Sequence, residues 1–190
     1  MEELRKLIEG LADADEEGVI RDIPLIMNKI KEVGFLKVVQ DEELKDFLPE
    51  MREKMGNIDP EKLVPLAEVV MPTLFDGLAE LIEASEEAKE ELEDMEDMTV
   101  QISVPELDVY MFVKLEDGKF SAGNGKLENA ELRLSMDKGT FIEQMKGEGD
   151  LVSSYMSGVV TLEGPLNKAM AMNTLFEVIA DEYELDLGIG

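Results

Sequence analysis

The chain contains no cysteine, no histidine and no tryptophan, and aromatic residues make up 5 % of its 190 positions. Without cysteine there are no disulfides, no thiol nucleophile and no zinc-finger site. Without histidine there is no imidazole base or metal ligand. Scarce aromatics argue against stacking recognition of nucleic-acid bases. Cations are also few: 18 Lys and Arg stand against 45 Asp and Glu, a net charge of -27. Nucleic-acid affinity rests on lysine and arginine neutralising phosphates, and adsorption to anionic membranes needs polybasic patches, so neither partner is expected. The deficit is uneven, with 11 basic and 29 acidic side chains in residues 1–97 and 7 and 16 in residues 98–190. Such acidity keeps a protein soluble and monodisperse, or suits a salt-rich cytoplasm. No apolar run approaches the roughly 20 residues of a membrane span. Met1 leads into Glu2 and Glu3 rather than a secretory leader, and the Leu187–Gly190 terminus is no lipidation box or peroxisomal address, so a cytoplasmic protein without stable membrane insertion is expected.

What is present divides by period. In the first half, apolar residues recur at helical spacing. Leu4, Leu7, Ile8 and Leu11 form one stripe. Asp22 to Pro24 reads as a cap with proline in the first turn, and Ile26, Met27 and Ile30 continue to Gly34. Asp41 opens another helix carrying Leu44, Phe47 and Leu48, with Pro49 breaking or bending it. Asp59-Pro60 repeats the cap-plus-proline signature and starts a long helix over 60–93, with a kink expected at Pro72 and a very acidic tail from Glu83. Its stripe of Val69, Leu74, Leu78, Leu81 and Ile82 is suited to cover a sheet as a lid or to meet a second subunit.

At Met98 the period becomes two. Met98, Val100, Ile102 and Val104 alternate with polar residues, and a second alternating run extends from Leu107 to Leu115. Asp117-Gly118 signals a hairpin, followed by a return strand from Lys119. Ala130, Leu132, Leu134 and Met136 alternate again. One apolar and one mainly polar face per strand predicts an antiparallel sheet covered on one side. Asp137 caps a helix ended by Gly147, a short helical segment spans 151–156, a last strand spans 159–162, and Gly164-Pro165 opens a final helix. Gly123-Asn124-Gly125-Lys126 lacks the spacing of a phosphate loop and reads as a turn. Carboxylates are too numerous for any pair to mark a catalytic site, and no nucleophile–base pair or metal set is available, so no enzyme, cofactor or metal is expected.

The order from Asp137, Phe141 and Gly147 through the tract Met156-Ser157-Gly158-Val159-Val160-Thr161-Leu162-Glu163-Gly164 to the amphipathic helix ending in Leu175-Phe176 resembles the sterol carrier protein type-two family over about residues 98–183. Val159 stands where the family usually has a basic residue, and Pro165 where it usually has an acidic one. The resemblance implies an α/β protein of the α+β type: a mostly antiparallel sheet covered on one face by helices, here preceded by an all-helical extension. Residues 1–60 form that extension on this reading, and residues 61–190 the lipid-binding domain, with sheet and helices over 98–183.

It further implies a non-enzymatic carrier or presenter of sterol, fatty acyl or isoprenoid lipids in an apolar tunnel closed by the final helix. Inward sheet positions and the helix stripes facing them then line the tunnel: Val109, Met111, Val113, Phe120, Leu132 and Leu134, with Phe141, Met145 and Met156. Val160 and Leu162 supply the floor, and Met172, Leu175, Phe176 and Ile179 the closing helix. Thirteen methionines suit a wall that tolerates several ligand shapes, though each also serves as core filler. Arg133 is either a head-group contact or a cross-strand partner of Glu131 or Asp108. The alternative is a protein-interaction or accessory module for lipid or isoprenoid biosynthesis, with a protein partner or a homodimer formed through the helical extension.

Overall fold

The computed structural model describes residues 1–44, 46–149 and 151–185, and of Val152 the backbone; Asp186 and the Leu187–Gly190 terminus read above lie outside it. The helical half contains α1 (Glu2–Ala12), α2 (Glu16–Val33), α3 (Phe35–Val39), α4 (Phe47–Gly56), α5 (Pro60–Ala84) and α6 (Glu86–Asp94). The second half contains β1 (Met98–Val104), β2 (Val109–Glu116), β3 (Lys119–Asn124), β4 (Leu132–Met136), α7 (Lys138–Lys146), α8 (Leu151–Met156), β5 (Val160–Glu163) and α9 (Leu166–Glu182). A 3-10 turn, Pro105–Leu107, joins β1 to β2.

Each helix of the first half buries a narrow stripe. In α1 it is Leu4, Ile8 and Leu11; in α2 Val19, Ile23, Ile26, Met27 and Ile30; in α4 Phe47, Met51 and Met55. Side-chain caps set three of the six starts. Asp15 accepts a hydrogen bond from the Gly18 amide, Asp59 from Glu61 and Ser85 from Ala88. Three local expectations are corrected. Helix α2 begins at Glu16, capped by Asp15, so Pro24 lies inside it rather than in the first turn. Pro49 does not break α4, because the helix starts at Phe47 and proline falls in the first turn, where no amide partner is needed. The helix expected over 60–93 is two helices, since Ser85 is extended (φ -89°, ψ 125°) and caps α6.

Helix α5 joins the halves. It packs on α2 and α3 on one side and on β3 on the other, and its buried line runs through Leu63, Leu66, Ala67, Val70 and Leu81. Of the stripe expected to act as a lid, Leu81 and Ile82 are buried and Val69, Leu74 and Leu78 half-buried. Gly77 is required at its place: a Cβ there would overlap the Phe35 ring. The Phe35 amide donates to Glu80 Oε2 at 2.7 Å, which ties α3 to the same helix.

The sheet has strand order β3-β2-β1-β4-β5, with β1 and β4 parallel and every other pair antiparallel. Asp117 (φ 53°) and Gly118 (φ 67°) form the β2–β3 turn, both left-handed as a two-residue hairpin requires. Strand β4 leads into α7, where Asp137 accepts from the Thr140 amide at 2.7 Å and Gly147 ends the helix in the left-handed conformation. Hydrogen bonds from the Thr140 amide first, then the Thr140 side chain and the Gly139 amide, hold the Asp137 carboxyl below the usual aspartate range.

Candidate lipid-binding layer

Cross-strand register places the apolar residues in rows on one face of the sheet. Phe120, Leu115 and Met98 form one row, and Ala122, Val113, Val100 and Leu132 the next. The third row runs Asn124, Met111, Ile102, Leu134 and Leu162, and Met136 pairs with Val160 beyond it. The second row is buried at Val113, Val100 and Leu132, and the Met136–Val160 pair is buried as well. Between them Ile102, Leu134 and Leu162 are only half-buried. An incompletely covered aliphatic strip therefore crosses β1, β4 and β5 between buried rows, while Phe120 and Ala122 on β3 are half-buried as well.

The helices after β4 and β5 share this partial cover. Leu151 of α8 and Ala169 and Met172 of α9 are half-buried against the core. Helix α9 buries fully only Leu175 and Ile179 among its 17 residues. Phe176 meets Phe120 edge-on, with centroids 6.1 Å apart and planes at 77°. The helix is held chiefly at its ends. Near the start, Lys168 Nζ donates to the Asp97 carbonyl (2.7 Å) and to Glu131 Oε2 (3.1 Å). The hydrogen bond to Glu131 keeps the Lys168 ammonium above its ordinary pKa. Near the finish, the fully buried Ser85 hydroxyl donates to Glu182, and the Tyr183 hydroxyl lies 3.5 Å from the Leu81 carbonyl. Burial, with the Glu182 charge second, pushes the Tyr183 phenol up.

Set against the sequence-derived site, Met111, Val113, Leu132, Phe141, Met145, Val160, Leu175 and Ile179 are buried in the layer. Val109, Phe120, Leu134, Leu162, Met172 and Phe176 are half-buried beside it. Met156 is placed elsewhere: at the end of α8 it is 78 % exposed. Ile102, Leu151 and Ala169 were not singled out. The alternation of β1 already pointed Ile102 inward, whereas nothing short of the register shows that it sits between Met111 and Leu134. Arg133 is exposed and donates to the Glu128 carbonyl at 2.8 Å, and its cross-strand neighbours are Gln101 and Glu163. A recess of about 440 Å3 lies away from α9, between α5 and the ends of β2 and β3, and includes Val109 and Met111. Among the described residues no helix is long and apolar enough to cross a membrane, and no cluster of acidic side chains is arranged to hold a metal ion.

Comparison with known proteins gives a family and several structural likenesses. No curated protein matches the chain. A ubiquinone synthesis protein described as UbiJ-SCP2 aligns at 11 % identity and a TM-score of 0.44, covering 62 % of this chain and 98 % of that one. Apo sterol carrier protein 2 from Yarrowia lipolytica aligns at 16 % identity and a TM-score of 0.41, covering 55 % and 92 %. The inverting sec-alkylsulfatase Pisa1 from Pseudomonas sp. aligns at 16 % identity and a TM-score of 0.42, covering 93 % of this chain and 31 % of that protein. The model of the SCP-2 sterol transfer family matches residues 78–177, from the last two turns of α5 to the Phe176 turn of α9, and so spans the whole sheet and all of the layer described above but Ile179. The chain belongs to the SCP-2 sterol transfer family, whose members bind or transfer lipids.

Proposed function

We propose that the protein is a non-enzymatic lipid carrier or presenter that holds the apolar part of a sterol, acyl or isoprenoid ligand between the sheet and α7–α9. The observation that carries this reading is the half-buried Ile102–Leu134–Leu162 strip flanked by fully buried neighbours. An apolar ligand laid along it removes both its own surface and the strip from water, a gain of about 25 cal/mol per Å2. Met172 and Phe176 are the moving cover: α9 is pinned at its ends and thinly packed between them. In this reading residues 61–190 make the binding unit, and residues 1–60 brace α5 from behind.

The test is displacement of a fluorescent fatty acid or isoprenoid from delipidated protein, repeated with Leu162→Gln. Saturable binding that the substitution weakens about tenfold or more is the expected result, since a buried unpaired amide costs roughly 1–3 kcal/mol. No saturable binding across sterol, acyl and isoprenoid probes would sink the proposal.

A second reading, an accessory module that docks on a biosynthetic protein, draws on a different observation. Tyr155, Met156, Val159, Leu166 and Met170 are all exposed, and between residues 151 and 176 only Glu163 and Lys168 carry charge. Exposed apolar side chains in a charge-poor segment of so acidic a chain fit a protein contact. Co-purification of a partner that Met156→Ser/Met170→Ser releases supports this second reading; unchanged capture by the double variant removes it.

A further inference from the structure

The turn Gly125-Lys126, left without a role by the lipid layer, belongs to a constructed corner of the sheet. Strand β3 ends at Asn124 opposite Met111, while β2 continues to Tyr110 and Val109. Gly125 adopts φ 133°, a region that only glycine enters freely, and its amide donates to the Tyr110 carbonyl at 2.8 Å. Gln101, a nearly buried polar residue of β1, clamps both sides of the next position. Its Nε2 donates to the Met111 carbonyl (2.7 Å) and the Gly125 carbonyl (3.2 Å), and its Oε1 accepts from the Leu127 amide. Lys126 is thereby fixed between two tethered neighbours. Its ammonium sits 3.8 Å above the centre of the Tyr110 ring and 3.5 Å from Asp108 Oδ1.

Beside this arrangement lies the recess of about 440 Å3. Ala67, Met71, Val109 and Met111 give it apolar walls, and Glu68, Asp108 and Asn124 add two carboxylates and an amide. An aromatic face with carboxylates beside it is the environment that selects organic ammonium groups over anions. Here it already has an ammonium seated in it, on a lysine side chain that is 62 % exposed. The net charge of -27 works in the same direction, concentrating cations near the surface and repelling anions.

We propose that this recess binds an organic ammonium ion bearing a short apolar substituent, in exchange with the Lys126 ammonium over Tyr110. The site goes beyond the lipid layer, with which it shares Val109, Met111 and Asn124, and its test does not depend on lipid binding. Calorimetric titration of the full chain with hexyltrimethylammonium tests it, with hexyl sulfate as the sign-reversed control, at fixed ionic strength. Saturable one-to-one binding of the cation is expected, with none of hexyl sulfate. Tyr110→Leu should weaken binding about tenfold, the order of a desolvated cation–π contact, and Tyr110→Phe should retain it. Lys126→Ser, on an exposed turn, should tighten binding several-fold by vacating the ring face. Equal binding of hexyl sulfate, or an affinity unchanged or weakened by Lys126→Ser, overturns the proposal and leaves attraction to surface charge as the explanation. The Lys126 variant decides even where Tyr110→Leu fails to fold.

Discussion

The two halves of the chain are packed to different standards. Of the twelve largest fully buried side chains among the described residues, Leu132 alone comes from the sheet half; Leu4, Leu11, Ile23, Ile26, Met27, Ile30, Phe47, Met51, Leu63, Leu81 and Ile82 all lie before residue 98. Exposed large apolar residues are distributed the other way: Tyr155, Met156, Val159, Leu166 and Met170 against Met1 and Leu25. The more acidic half, which resembles an appendage by charge, is the better packed. One continuous core joins the two halves, with α5 packed on α2, α3 and β3 and α7 on α4 and α5, while α8 and α9 are the thinly seated helices. On the proposed reading such a division separates stability from binding, since the second half keeps apolar surface uncommitted.

Substitutions should break the two properties apart. Phe47→Ala has the largest expected effect, a loss of about 3–5 kcal/mol in urea denaturation, with lipid affinity per folded molecule unchanged. A comparable loss of lipid affinity in the folded fraction would erase the distinction between the halves. Gly77→Ala, which drives a methyl into the Phe35 ring, should cost about 1–3 kcal/mol and again spare binding. Met172→Ala is the mirror case. Its side chain is half-buried, so a stability loss of about 1 kcal/mol or less is expected alongside a several-fold loss in probe affinity.

The smallest effect expected is a pH dependence at α7. The depressed Asp137 carboxyl contributes stability at any pH above the ordinary aspartate pKa, and that contribution is lost as pH falls below about 4 and through the folded value. Comparing wild type with Asp137→Ala between pH 5 and pH 2 by circular dichroism should show the difference in stability shrinking as acid is added. A difference that stays constant would mean that the cap acts through shape rather than charge.

Legibility in the sequence followed the range of the forces involved. Caps are local, and Asp59-Pro60 and Asp137 identified their helices because side chain and amide are two or three residues apart. Alternation exposed the strands for the same reason. Asp22-Pro24 misled because a true cap, Asp15, lies a few residues earlier, and tertiary burial of Ile23, Ile26 and Met27 carries α2 through the proline. The break at Ser85 was hidden by continuous helix formers on both sides; it is explained by the distant partner Glu182 as much as by the local cap. At the binding layer, inward-facing positions could be read from the sequence, but which of them remain uncovered could not. Leu134 is half-buried and Leu132 sealed because elements distant in sequence cover them unequally, and no pattern within β4 encodes that.

The position of β1 at the centre of the sheet sets an order of assembly. Its antiparallel partner is close in sequence, with Val100 beside Val113, whereas its parallel partner must return from Leu132 after a hairpin and a loop. Short loops close at lower entropic cost, so the β1–β2–β3 meander can form early and the β4–β5 pair joins it late. The four-residue β5 has β4 as its strand neighbour, at the edge of the sheet. Amide exchange should accordingly be slowest in β1 and β2 and fastest in β5 and the first turns of α9. The region that folds last is then also the one that opens most readily, and on the proposed reading brief local unfolding at that edge admits a ligand without a dedicated hinge.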